Sequence, residues 1–191
     1  MTYMRPGYSK IDLSESGVGF FEKGKGRKYD LIRYEEMDDI SENGGKNKNA
    51  FMEGTKTVLA LFIPGNGGDY AQVRSLAHST HALGKYYLSS SSSSSSSEET
   101  KAKKTKIEWY AMDFKEEFSA FDADAMERQV ETTRWVLEEY FGRKIFESDE
   151  DDDDDDDGGG KYLKNVIVVG HSMGGLVAKY AAEQVIVNKS D

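Results

Sequence analysis

Four β-branched residues, Val166-Ile167-Val168-Val169, run directly into Gly170-His171-Ser172-Met173-Gly174-Gly175, and no other stretch restricts the fold of this chain as strongly. The apolar run is too short for a helix and is bounded by Asn165 and Gly170, so it reads as a buried strand of a parallel sheet. Behind it, Leu176, Val177, Tyr180, Ala181 and Val185 recur at helical spacing, with Lys179, Glu183 and Gln184 on the opposite side. A serine squeezed between a strand and a helix must adopt a strained backbone conformation that holds its hydroxyl above the sheet edge. Gly170 and Gly174 leave room for such a turn, and the helix aims its first amides at the same point. Ser172 is therefore a candidate nucleophile, and the Met173 amide a candidate oxyanion donor. The plainer reading is a Gly-Ser turn without chemistry.

Upstream, Thr57–Ile63 is a second buried strand, and it runs into Pro64-Gly65-Asn66-Gly67-Gly68-Asp69. Glycines directly after a central strand let backbone approach a ligand, so the amides of Asn66 and Gly67 are further candidate oxyanion donors. Taken alone, this loop reads as an ordinary Gly-rich turn; beside the Ser172 turn it gains a chemical meaning. Asp69 is a natural cap for the helix that follows, with Val73, Leu76, Ala77 and Leu83 on its buried side. His78 and His81 on that helix read as solvated, since no third metal ligand is near in sequence.

Ile107–Phe114 is a third strand of the series, and Ala123–Phe141 is the longest helix candidate, with Gly142 as its stop. Phe114, Phe118 and Phe121 punctuate the connector between them, either as core or as the wall of an acyl site. Tyr29–Glu35 reads as an edge strand, and residues 1–19 as an extended lead-in. From Thr57 onward the order is strand, helix, strand, helix, strand, helix. Right-handed crossovers make that a mostly parallel, doubly wound α/β sheet.

Composition sets limits. The 191 residues suffice for one α/β domain, which takes in the whole chain, 1–191, with low-complexity insertions at 89–106 and 147–160. The first is unbroken serine over Ser89–Ser97 and then lysine-rich, and the second is Asp- and Gly-rich; both are predicted to be disordered loops. The formal charge of −10 rests largely on the nine acidic residues of Asp149–Asp157. It describes one loop and argues against broad attraction to nucleic acid or an anionic membrane. With no cysteine, a thiol nucleophile and a cysteine metal site are excluded within these residues. No run approaches the ~20 apolar residues of a membrane span.

Ser172 as nucleophile needs a base. His171, its neighbour on a tight turn, should point away, and His78 and His81 precede the serine, whereas in this architecture the acid and the histidine follow it. The chain is therefore expected to be the N-terminal part of a catalytic domain, holding nucleophile and oxyanion hole without the relay.

Met1-Thr-Tyr-Met4, the run Leu61-Phe-Ile-Pro-Gly-Asn-Gly-Gly-Asp-Tyr-Ala-Gln-Val-Arg-Ser75, Asp113-Phe-Lys-Glu-Glu-Phe118 and Gly170-His-Ser-Met-Gly-Gly-Leu-Val-Ala178 together resemble the GPI inositol-deacylases. The Pro-Gly-Asn segment followed by Gln-Val-Arg-Ser is the specific part, because the serine motif is shared with many lipases. The resemblance implies an α/β-hydrolase fold and a serine ester hydrolase of the endoplasmic reticulum membrane. It would remove the acyl chain from the inositol of GPI-anchored proteins through an acyl-enzyme, with no cofactor or metal. Ser172 matches the family's nucleophile, and Gly65-Asn66 its oxyanion segment. The family's acid, histidine and membrane spans have no counterpart in these residues. Two other readings compete: a generic lipase or thioesterase of the same fold, and a non-catalytic binding module that lost the triad.

Overall fold

The structure, a computed structural model, describes residues 6–11, 29–36, 56–90, 105–145 and 162–188. Its strands are β1 (Pro6–Ile11), β2 (Asp30–Glu36), β3 (Lys56–Ile63), β4 (Thr105–Asp113) and β5 (Tyr162–Gly170). The helices are α1 (Arg74–Ser90), α2 (Ala123–Trp135) and α3 (Met173–Asn188). Single 3-10 turns, Tyr70–Val73 and Ser119–Phe121, precede α1 and α2, and a π-helical stretch, Val136–Phe141, prolongs α2.

The five strands form one sheet in the order β1-β2-β4-β3-β5. β3 runs parallel to both β4 and β5, whereas β1 and β2 are antiparallel additions on the far side of β4. Alternation along each strand splits the core in two, because successive side chains of a strand point to opposite faces. Leu59, Leu61 and Ile63 of β3 join Tyr110 and Met112 of β4 on one face, under Val130, Val136 and Phe141 beside Val177 and Ala181 of α3. On the other face, Ala60, Phe62, Trp109 and Ala111 pack beneath Val73 and Ala77. Helices thus cover both faces, as the doubly wound reading requires.

Several sequence expectations change. Tyr29–Glu35 is not at an edge: β2 is flanked by β4 and by β1, so the extended lead-in supplies a real strand. Among the described residues β5 is paired on one side only, and Ile167 is 40% exposed, so this strand is less buried than its composition suggests. Gly142 does not stop the helix: it keeps helical angles (φ −57°, ψ −45°) and the helix runs on through Ile145. Leu76, Leu83, Leu176 and Tyr180 are exposed, while Val73, Ala77, Val177 and Ala181 carry the buried stripes. Periodicity alone does not say how wide a stripe the sheet will cover.

Asp69 does cap its helix, accepting the Ala71 amide at 2.8 Å at the start of the 3-10 turn. The serine run beyond Ser90 and the acidic tract lie outside the described residues. No helix among the described residues is long and apolar enough to cross a membrane.

Candidate active site

Parallel pairing aligns the C-terminal ends of β3 and β5, with Ile63 opposite Gly170. Ser172 follows two residues later at φ 53°, in the left-handed region that an L-residue enters only at a cost of about 1–2 kcal/mol. The strained turn inferred from Gly-x-Ser-x-Gly is therefore present, and Ser172 is exposed. Its glycines are needed for steric reasons. A Cβ at Gly174 would lie 2.3 Å from the Ile63 carbonyl oxygen and 2.4 Å from that of Pro64. A Cβ at Gly170 would meet the Gly174 carbonyl oxygen at 2.4 Å. All three distances are impossible contacts, so strand, turn and helix can close on one another only without side chains here.

Hydrogen bonds then set the turn. The His171 amide donates to the Ile63 carbonyl at 3.0 Å, which seats the elbow on the end of β3. The Gly174 and Gly175 amides donate to the His171 and Ser172 carbonyls, both at 2.9 Å. Met173, as the first residue of α3, has an amide with no acceptor in its own helix, and it directly follows Ser172.

The loop after β3 lies against this turn. A Cβ at Gly65 would be 3.0 Å from the His171 carbonyl oxygen and 3.1 Å from the Cβ of Ser172. The loop turns tightly, with the Gly68 amide donating to the Gly65 carbonyl at 2.9 Å and Gly67 at φ +62°. Asn66 and Gly67, taken together from sequence as donors, separate here. The Gly67 amide already donates to the Glu117 carbonyl at 3.2 Å, so it is not offered to an oxyanion. Among the described residues no backbone acceptor engages the Asn66 amide. The Asn66 side chain accepts the Ala120 amide at 2.9 Å.

The three connector phenylalanines also part company. Phe114 is 2% exposed and packs edge-on against Tyr29, ring centres 5.0 Å apart, so it is core and not an acyl wall. Phe118 and Phe121 are 67% and 92% exposed. Phe118 leans over the Gly loop, where its Cε1 would be 3.1 Å from a Cβ at Gly67.

Sequence reasoning missed what holds this connector. Lys115 and Glu116 both adopt positive φ, 56° and 55°, in a turn closed by the Glu117 amide on the Phe114 carbonyl. The Glu117 carboxylate takes the Tyr29 hydroxyl and, at 3.2 Å, Arg128. Lys115 spans Asp113 and Asp30 at 2.5 and 2.6 Å. No Asn or Gly marks the left-handed turn, and the partners lie up to 88 residues apart, so no local signal could have disclosed it.

One histidine differs from expectation as well. His78 is not simply solvated: its Nδ1 lies 3.2 Å from the buried Glu36 carboxylate, which also accepts the Tyr34 hydroxyl at 2.6 Å. Burial, then that hydrogen bond and the nearby Glu36 charge, push the Tyr34 hydroxyl well above its ordinary pKa. His171 packs beside the elbow, its Nδ1 3.4 Å from a Cβ at Gly65.

Comparison with known proteins gives this geometry a context. A family described as the PGAP1-like alpha/beta domain matches residues 55–189, the span from β3 through α3. The GPI inositol-deacylase of Neurospora crassa is 33% identical over 183 residues, which is 94% of this chain and 12% of that protein. That of Eremothecium gossypii is 35% identical over 81% of this chain and 13% of its own length. That of Phaeosphaeria nodorum is 32% identical, with 94% and 15% covered. The chain thus spans less than a sixth of the length of these curated relatives. With β3, the Pro-Gly-Asn loop, β4 and the serine elbow in one contiguous match, the chain belongs to the PGAP1-like α/β domain family and is similar to the GPI inositol-deacylases.

Proposed function

We propose that this chain carries the nucleophile and oxyanion half of a serine ester hydrolase, acting on the acylated inositol of GPI-anchored proteins. One observation carries the reading: Ser172 stands at φ 53° on a strand–turn–helix elbow with Gly65 directly against it. In the reaction, Ser172 Oγ attacks the acyl carbonyl carbon while a base takes the hydroxyl proton. The carbonyl oxygen becomes an anion facing the amides of Met173 and Asn66. Collapse of that intermediate expels the inositol oxygen, which leaves with the proton, and water then releases the fatty acid from the serine. Ser172 and water suffice for the covalent steps, so the reaction as written uses no cofactor.

The base and its carboxylate come, in this reading, from polypeptide outside these 191 residues, as do the segments that hold the enzyme in the endoplasmic reticulum membrane. The much greater length of the relatives supports this. Phe118, against the Gly loop, and Phe121, three residues further on, are both exposed and are the acyl-site candidates that remain.

The test uses the full-length polypeptide. A fluorophosphonate should label Ser172, and Ser172→Ala should abolish both labelling and release of the inositol-linked acyl chain. Undiminished deacylation by Ser172→Ala would overturn the assignment.

A further inference from the structure

The Gly65-Asn66-Gly67-Gly68 turn contains a single side chain, that of Asn66. Three glycines make such a turn intrinsically loose, since each gives access to backbone states closed to other residues. An oxyanion donor, by contrast, must be held to within about 0.5 Å of its productive position. Something outside the turn has to supply that order.

Two hydrogen bonds do so, and both come from the segment after β4. The Gly67 amide donates to the Glu117 carbonyl, and the Asn66 side-chain oxygen accepts the Ala120 amide at 2.9 Å. The braces are themselves anchored. Glu117 is gripped through its carboxylate by Tyr29 and Arg128, which belong to other parts of the fold, and Ala120 sits in the 3-10 turn Ser119–Phe121. The two bonds flank the Asn66 amide, one through its own side chain and one through the next residue. The Asn66 side-chain oxygen is thus engaged by the Ala120 amide and ties the turn to the connector.

We propose that Asn66 is a positioning residue whose side-chain oxygen, through the Ala120 amide, fixes the Asn66 backbone amide as an oxyanion donor. The inference rests on the nucleophile assignment above and extends it to the placement of the second donor. A misplacement of about 1 Å at a reacting centre costs on the order of 100-fold in rate. Loosening a donor without deleting it should cost somewhat less, about 10- to 100-fold.

The experiment compares Asn66→Ala, Asn66→Ser and Ser172→Ala in the full-length polypeptide in detergent, on p-nitrophenyl acetate and p-nitrophenyl palmitate. Active sites are counted by fluorophosphonate titration to completion, so turnover is expressed per competent site. Expected for both Asn66 variants is a kcat per site about 10- to 100-fold below wild type, equally on both esters, with KM within twofold. The serine side chain is too short to reach the Ala120 amide, so Asn66→Ser should follow Asn66→Ala. A raised KM at unchanged kcat, or a loss confined to the palmitate ester, would overturn the proposal by assigning Asn66 to substrate binding. Fewer titratable sites with normal turnover per site would overturn it as well, because that is the mark of a merely structural tie. Activity surviving in Ser172→Ala would instead strike the nucleophile assignment, separating the two failures.

Discussion

Ser172 holds a backbone conformation that its own side chain disfavours, and the residues that make this possible are two that contribute no side chain. Gly174 faces the carbonyls of Ile63 and Pro64 at distances where a methyl group cannot fit, whereas Gly175, the next residue, has nothing nearer than 3.9 Å. The two neighbours should therefore respond in opposite ways. Gly174→Ala must force α3 off the end of β3, with a loss of about 3 kcal/mol or more and of fluorophosphonate labelling at Ser172. Gly175→Ala, inside a helix and in ordinary contact, should leave labelling intact and gain up to about 1 kcal/mol. Thermal melts with labelling of the same samples would check the pair. If Gly174→Ala melted like wild type, the close approach of helix and strand would be wrong. At this scale the elbow was legible because a steric requirement leaves a sequence trace. Phe114 and Phe118 were not separable, because two phenylalanines four residues apart in a loop look alike until the loop has a path.

Among the elements, the strands were easiest to locate and the connector after β4 the hardest. Alternation along β3 and β4 follows from the pleat, so the residues of each face were implicit in their order. The Phe114–Glu117 turn has positive φ at both central residues, the geometry of a type I′ turn, which favours Asn-Gly and holds Lys115-Glu116 instead. Lys115 is occupied by Asp30 and Asp113, whereas Glu116 is exposed. Glu116→Gly should therefore relieve strain and stabilise the fold by about 0.5–1 kcal/mol, after the greater chain entropy of glycine is subtracted. Chemical denaturation measures this directly, and a destabilised variant would mean that Glu116 makes a contact outweighing its strain. The exposed rings on the same connector carry a separate expectation. Replacing Phe118 and Phe121 by serine should slow palmitate ester hydrolysis at least several-fold more than acetate ester hydrolysis. Equal losses on both esters would remove the two rings from the acyl site.

Across the whole molecule, one polar network joins elements distant in sequence beneath the apolar layers. The buried Glu108 of β4 takes Lys144 at 3.2 Å, Arg33 of β2 at 3.1 Å and the Tyr110 hydroxyl at 2.5 Å. Burial pushes its carboxyl up, but the Lys144 charge, the Tyr110 hydrogen bond and Arg33 together outweigh this and hold it below the usual carboxylate range. A depressed folded pKa means that its contribution is complete above the unfolded value, about 4.3, and is lost as pH falls through the folded value. Glu108→Gln, which leaves two cations facing a neutral group, should cost about 3 kcal/mol at pH 7. That deficit should shrink as the pH drops below about 4, and denaturation at the two pH values would reveal a constant deficit if the network were not electrostatic. Local order along the chain was enough to specify the strands from β2 onward, the glycine-guarded serine and the family, because pleat periodicity and steric exclusion act between residues close in sequence. Which phenylalanine is buried, which loop amide stays available, and what Glu108, Glu117 and Asn66 hold depended chiefly on contacts between residues 36, 54 and 88 apart in sequence. Those are set only when the sheet order brings β2, β4 and the Gly loop together, since a hydrogen bond or ion pair has no sequence signature until its partners are neighbours in space.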